Sequence, residues 1–292
     1  MLALQPAVDG IARVVPGGAV AASVVALDGE ELVVVRPGEL SSPTNLGSSP
    51  IADVPLAGDR TVLASGEEAR RAHALAVDEW RALTARWFVG LAREAQAIGV
   101  QYAKDRKQFG AAVGSFQAVQ HRFADLACDL DGADLLANKA VWALDVCDPV
   151  GETFPAMAFW FAGDVAQRQA SWSLHVHGGY GFMEEYDIQL HFRRAKAARL
   201  LLGDPRRELV ALADRLFSDP TTGPIPGSAY RPTGTGQADA AANGTYQERP
   251  RLDADTSDGG FDFRLDPAVQ SFRDEVRAFL GEHVTDQVIE DA

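Results

Sequence analysis

Two periods of apolar residues divide the chain. Between Ala19 and Val35 it reads AVAASVVALDGEELVVV, two β-branched runs parted by Asp28-Gly29, whose tolerance of positive φ predicts a hairpin. A second strand pair is expected at Asp53 to Leu56 and Arg60 to Ala64, turning at Gly58-Asp59, while Pro37 to Pro50 has loop composition. From Val77 the period changes to three and four. Val77, Trp80, Leu83, Trp87, Leu91, Ile98 and Tyr102 form one stripe of a long helix that stops at Arg106.

A second helix is predicted from about Ser115, with Phe116, Val119, Phe123, Leu126, Leu130, Ala137, Val141 and Leu144 inward, ended by Pro149 and Gly151. Pro155 opens a third that carries Met157, Trp160, Val165, Trp172 and Val176 to Gly178-Gly179, with Gly181 adding backbone freedom to the turn. A fourth spans about Asp187 to Leu202 and is stopped by Gly203. A fifth is capped by Asp204, begins at Pro205, and buries Leu209, Leu212, Leu216 and Phe217. The expected fold is mainly α: an antiparallel four- or five-helix bundle preceded by a partial small β-domain.

Beyond Ser218 apolar periodicity disappears until Gly260, which reads as a linker; Phe261 to Leu280 then returns to helical spacing. The two cysteines, Cys128 and Cys147, lie in helical patterns without metal-ligand spacing and read as buried thiols. A formal charge of −14 argues against a nucleic-acid partner, and no membrane span or signal peptide is apparent, so the expected address is cytoplasmic.

The chemistry concentrates in two stretches. One is Tyr102-Ala-Lys-Asp-Arg106-Lys-Gln108-Phe109-Gly110; the other is His175-Val-His-Gly178-Gly179-Tyr-Gly. A glycine turn between helices admits a ligand close to the backbone, and the amides entering the next helix favour an anion. Taken together, and over roughly Leu75 to Phe217, these stretches resemble the C-terminal helical domain of the FAD-dependent acyl-CoA dehydrogenases, with their Tyr-x-x-x-Arg-x-Gln-Phe-Gly and Gln-x-x-Gly-Gly-x-Gly signatures.

The resemblance implies that residues 1–66 are part of the middle β-domain, 67–217 the helical bundle, 218–260 a linker, and 261–292 the start of a second dehydrogenase unit. The family's opening helical domain has no counterpart before Met1, so a fragment or fused pair is the expectation. FAD is the implied cofactor and an acyl-CoA the implied substrate. Arg106 matches the arginine that reaches the FAD pyrophosphate from a neighbouring subunit, and Gln108 and Phe109 match residues lining the nucleotide. Gly178 and Gly179 match the turn beneath the adenosine, with His175 where the family has Gln.

Dehydrogenation also needs a carboxylate base. Counting from the glycine turn, the usual Glu position holds Leu202. Some relatives place the base on the long helix before an arginine matching Arg81; that position is Trp80, with Glu79 a residue further back and about 100° round the helix. Glu184 and Glu185 read as surface residues of the turn, and Arg193, Arg194, Lys196 and Arg199 as a solvated basic face. The expected function is that of a base-lacking, FAD-sharing subunit in a homo- or hetero-oligomer. The alternatives are a dehydrogenase that uses Glu79 by itself and a purely structural bundle.

Overall fold

The computed structural model describes residues 1–146 and 153–217. Pro149, Gly151, Cys147, the linker and the Phe261 segment lie outside the described residues.

The hairpin forms from β2 (Val24–Asp28) and β3 (Glu31–Val35), in register from Val24 opposite Val35 to Asp28 opposite Glu31. Its turn is Gly29-Glu30, one residue later than the Asp28-Gly29 expected, because only Gly29 adopts positive φ (61°). Strands β4 (Ala52–Pro55) and β5 (Arg60–Ser65) exist but do not pair with each other. β5 completes a sheet of order β2-β3-β5, and the Arg60 guanidinium crosses to Asp28 (2.9 Å) and to Glu31. β4 pairs instead with β1 (Ile11–Val15), a strand that alternation does not reveal. A register shift between Ala12 and Val15, with Val14 at φ 50°, puts these two inward positions three residues apart. Ala3, Ala12, Val15, Val24, Val33, Val54 and Leu56 form a small core of their own.

Helix α1 (Gly66–Asp105) follows β5 without a linker, and Glu67 and Glu68 complement the dipole of its first turn. Its buried face runs through Ala82, Ala85, Phe88, Val89, Ala92, Ala95 and Gly99. The stripe inferred from large residues is therefore rotated: Leu83 is 66% exposed and Trp87 44%. Small residues hold the inner face because α3 (Phe154–His177) approaches closely; a Cβ on Gly99 would sit 2.4 Å from Ser173 Oγ. His73, buried on the same helix, donates from Nε2 to the Ala3 carbonyl (2.8 Å), and burial lowers its pKa, which keeps the ring neutral.

Helix α2 (Gln117–Asp145) buries Phe123, Leu126, Leu130, Ala133, Ala137, Ala140 and Ala143, while Phe116 and Val141, expected inside, are exposed. Cys128 is exposed, contrary to the buried thiol expected. Helices α4 (Ile188–Arg199) and α5 (Pro205–Phe217) complete the five-helix bundle. Asp204 Oδ1 accepts from the Arg206 amide (2.9 Å), the predicted cap.

The basic face of α4 is only partly solvated. Arg193 donates to the Leu46 carbonyl (3.0 Å) and Ser48 Oγ (3.1 Å), which ties α4 to the Pro37–Pro50 loop. Arg199 bonds Gln167 Oε1 (3.1 Å), pairs with Asp164 (3.1 Å) and covers the Trp160 ring. Arg194 and Lys196 are exposed as expected.

Candidate functional site

Helix α1 ends where Arg106 leaves helical backbone, its amide still bonded to the Tyr102 carbonyl (2.9 Å). The chain then makes a miniature hairpin, β6 (Lys107–Gln108) with β7 (Ala111–Ala112), over Phe109-Gly110. Both turn residues have positive φ, 53° and 80°. Glycine adopts that conformation freely; a phenylalanine does so under strain, which makes Phe109 a residue of interest rather than a filler. Its ring is 96% exposed and touches the edge of Phe116 at a centroid separation of 6.4 Å. Gln108 is exposed beside it.

The second stretch is a 3-10 turn, Gly178–Phe182, between α3 and α4. Gly178 has φ 60°, and a Cβ on either Gly178 or Gly179 would meet nothing within 4 Å. Both present bare, exposed backbone. Gly181 does a different job from the flexibility expected of it: it is buried, and a Cβ there would lie 2.5 Å from the Leu174 carbonyl oxygen.

Aromatic rings bring the two stretches together. Tyr102 stacks on His177 at 4.0 Å and meets the edge of Tyr186, which also packs on Tyr180 at 5.6 Å. His177 is fixed in turn by Nδ1–H donation to the Ser173 carbonyl (2.7 Å). The Arg106 guanidinium lies 5.8 Å from the Tyr180 ring centroid, beside the glycine turn. Among the described residues no carboxylate pairs with Arg106, so its charge and forked donors remain available. His175 is exposed one turn before Gly178 and stacks on Trp172 at 5.1 Å.

The other half of the sequence expectation concerned a base. Leu202 is half-buried against the helical core. Glu79 is exposed, while Arg81, two residues on, is buried. Arg81 Nη1 donates to Asp78 Oδ1 and Nη2 to Glu208 Oε2, both at 2.7 Å, and Arg215 stands 3.5 Å from Asp78 Oδ1. Burial opposes the charge on Arg81, but Glu208 and then Asp78 outweigh it and raise the pKa further. Two arginines and two carboxylates thus neutralise one another between α1 and α5. Sequence reasoning singled out Arg81 alone. Asp78, one turn before it, and the pair Glu208 and Arg215, seven residues apart on one face of α5, carried a helical-spacing signal that was readable.

Among the described residues no group of three His, Cys, Asp or Glu is placed to hold a metal, and no helix is long and apolar enough to cross a membrane.

The family model described as acyl-CoA dehydrogenase, C-terminal domain, matches residues 72–217. The chain is 36% identical over 129 residues to a probable acyl-CoA dehydrogenase of Bacillus subtilis, covering 44% of this chain and 34% of that protein. With the acyl-CoA dehydrogenase IpdE2 of Mycobacterium tuberculosis it shares 29% over 232 residues, 75% of this chain and 70% of the relative. The chain thus spans about a third of the length of the Bacillus protein, and more of the mycobacterial one. Among solved structures, the ChsE4–ChsE5 complex of Mycobacterium tuberculosis superposes with a TM-score of 0.66 at 22% identity, over 77% of this chain and 67% of that one. The Tcur3481–Tcur3483 steroid ACAD, as a glycine-to-alanine variant, gives 0.63 at 27%, over 71% and 58%. With a family model on half of its 292 residues and the fold shared with solved members, the chain belongs to the acyl-CoA dehydrogenase family.

Proposed function

We propose that this chain is the base-lacking subunit of an oligomeric acyl-CoA dehydrogenase, and that it lends Arg106, Gln108, Phe109, His175 and the Gly178-Gly179 turn to an FAD shared with a catalytic partner. The observation that carries this reading is the state of the base position. Leu202 has no side-chain oxygen and packs half-buried against the helical core, Glu79 faces solvent, and the carboxylates nearest Arg81 accept from its guanidinium.

The residues present fit the pyrophosphate and adenosine end of a dinucleotide. Arg106 is a permanently charged fork with no carboxylate partner among the described residues, two glycines leave backbone without a Cβ in the way, and Phe109 holds an aromatic face in the open. FAD, when bound, supplies the hydride acceptor. What these side chains do is hold and orient: Arg106 and the turn clasp the anionic end, and Tyr102 with His177 keeps the two at a fixed separation. Two of the matched structures are named as pairs of proteins, which supports a heteromeric assembly, and one is named a steroid ACAD, which makes a bulky polycyclic acyl-CoA the first substrate class to test.

Glu79→Gln distinguishes this reading from a self-sufficient enzyme. In an assembly that turns over acyl-CoA, the substitution in this chain is expected to leave kcat unchanged, since the side chain is exposed and its loss as a base has no consequence. A fall of about a hundredfold or more, the scale on which general-base catalysis contributes, would place the base in this chain.

A further inference from the structure

Arg106 leaves the end of α1 and the Gly178-Gly179 turn leaves the end of α3, so the gap between them depends on how closely the two helices approach one to two turns earlier. We infer that Gly99 and Ser173 are positioning residues for the flavin: their contact fixes the width of the clasp without touching its ligand. This inference rests on the reading of Arg106 and the glycine turn as that clasp.

α1 and α3 run in the same direction, since Phe88 meets Phe159, Gly99 meets Ser173 and Tyr102 meets His177 in that order. At the second of these pairs there is no spare room. A Cβ on Gly99 would lie 2.4 Å from Ser173 Oγ, 2.7 Å from Ser173 Cβ and 3.0 Å from Phe123 Cζ. The hydroxyl can rotate aside, but the Ser173 Cβ is carried by the α3 backbone and moves only with it. Restoring an ordinary carbon–carbon contact of about 3.5–4.0 Å would therefore part the helices by roughly 1 Å. Ser173 and Gln169, whose Nε2 donates to Ser173 Oγ at 3.4 Å, are both fully buried, which leaves close-packed surroundings with little slack to absorb the shift.

The displacement would fall on the clasp. Ser173 supplies the carbonyl that accepts from His177 Nδ1–H at 2.7 Å, so the residue that meets Gly99 also holds the ring on which Tyr102 stacks. Tyr102 lies on the next turn of α1 after Gly99, and its carbonyl accepts from the Arg106 amide at 2.9 Å. From the other side, Gly181 rests on the same turn of α3: a Cβ there would lie 2.5 Å from the Leu174 carbonyl oxygen and 3.3 Å from His177 Cβ. The last turn of α3 is thus gripped between two glycines. Gly99 sets its distance from α1, and Gly181 its distance from the turn.

Three variants test this. Gly99→Ala adds the Cβ, and Gly99→Ala/Ser173→Gly removes the atom it strikes. Gly163→Ala crowds Phe88 instead, with the new Cβ 3.2 Å from Phe88 Cε2, at a point of the same interface about 21 Å before His177 at 1.5 Å per residue. Two quantities are read: the flavin affinity of the assembled protein, and, in the full chain without flavin, the NMR shift of the His177 imidazole protons, which the stacked Tyr102 ring displaces.

Gly99→Ala is expected to weaken flavin binding about tenfold, the scale of one charge-assisted contact, and to move the His177 signals toward those of an unstacked imidazole. Adding Ser173→Gly should restore both, even though a glycine within a helix lowers stability. Gly163→Ala should leave both unchanged. Wild-type affinity with unmoved His177 signals in Gly99→Ala, no recovery in the double variant, or an equal loss in Gly163→Ala would overturn the inference. Flavin binding weakened by Arg106→Ala but not by Gly99→Ala overturns this inference alone; binding weakened by neither overturns the clasp and this inference with it.

Discussion

Replacing Arg81 with alanine should lower the unfolding free energy by about 3–5 kcal/mol, the cost of removing one partner from a buried ion pair. The side chains of Arg81, Asp78 and Arg215 are only 10–12% exposed, so solvent cannot take over their charges. Without Arg81, Glu208 loses its only ion-pair partner among the described residues, and Asp78 keeps Arg215 at 3.5 Å. Replacing Glu208 with glutamine should cost less, because the amide oxygen still accepts from Nη2. Urea denaturation measures both. A loss below about 1 kcal/mol for Arg81→Ala, the range of exposed pairs, would show that the network is effectively solvated.

Arg106→Ala should have the opposite profile, leaving the fold intact and weakening flavin binding by the assembled protein. Its guanidinium is exposed and, in the described structure, contacts only the Tyr180 ring, worth about 0.5–1 kcal/mol at an exposed site. A hydrogen bond to a charged phosphate contributes about 1.5–3 kcal/mol, so flavin affinity should fall about 10- to 150-fold. Flavin absorbance per chain after dialysis reads this directly. Retention of flavin with wild-type affinity would assign Arg106 a purely structural role at the end of α1.

The contrast between these two arginines shows what was legible in the sequence. Arg106 and the glycine turn stand in short local signatures, and the helices on either side repeat every three to four residues, so both the bundle and the candidate clasp could be read along the chain. The Arg81 network joins residues 127 positions apart, and no local pattern links Arg81 to Glu208. The face of α1 was misread for a related reason. Large residues such as Leu83 and Trp87 dominate an apolar pattern, yet close contact with α3 selects Ala85, Ala92 and Gly99 for the inside. In the β-region the strands β4 and β5 were found and their partners were not, because pairing is decided by neighbours elsewhere in the chain. The bulged β1 was hidden by its lost alternation. The Tyr102–His177 stack, which sets the two stretches side by side, depends on a contact 75 residues long.

The division of labour between clasp and base is tested most directly by anaerobic addition of a steroid-type acyl-CoA to this chain supplied with FAD, alone and mixed with a base-bearing dehydrogenase subunit, while flavin absorbance is followed. The account predicts no bleaching with the chain alone and full bleaching in the mixture. Bleaching by the isolated chain at a comparable rate would contradict it.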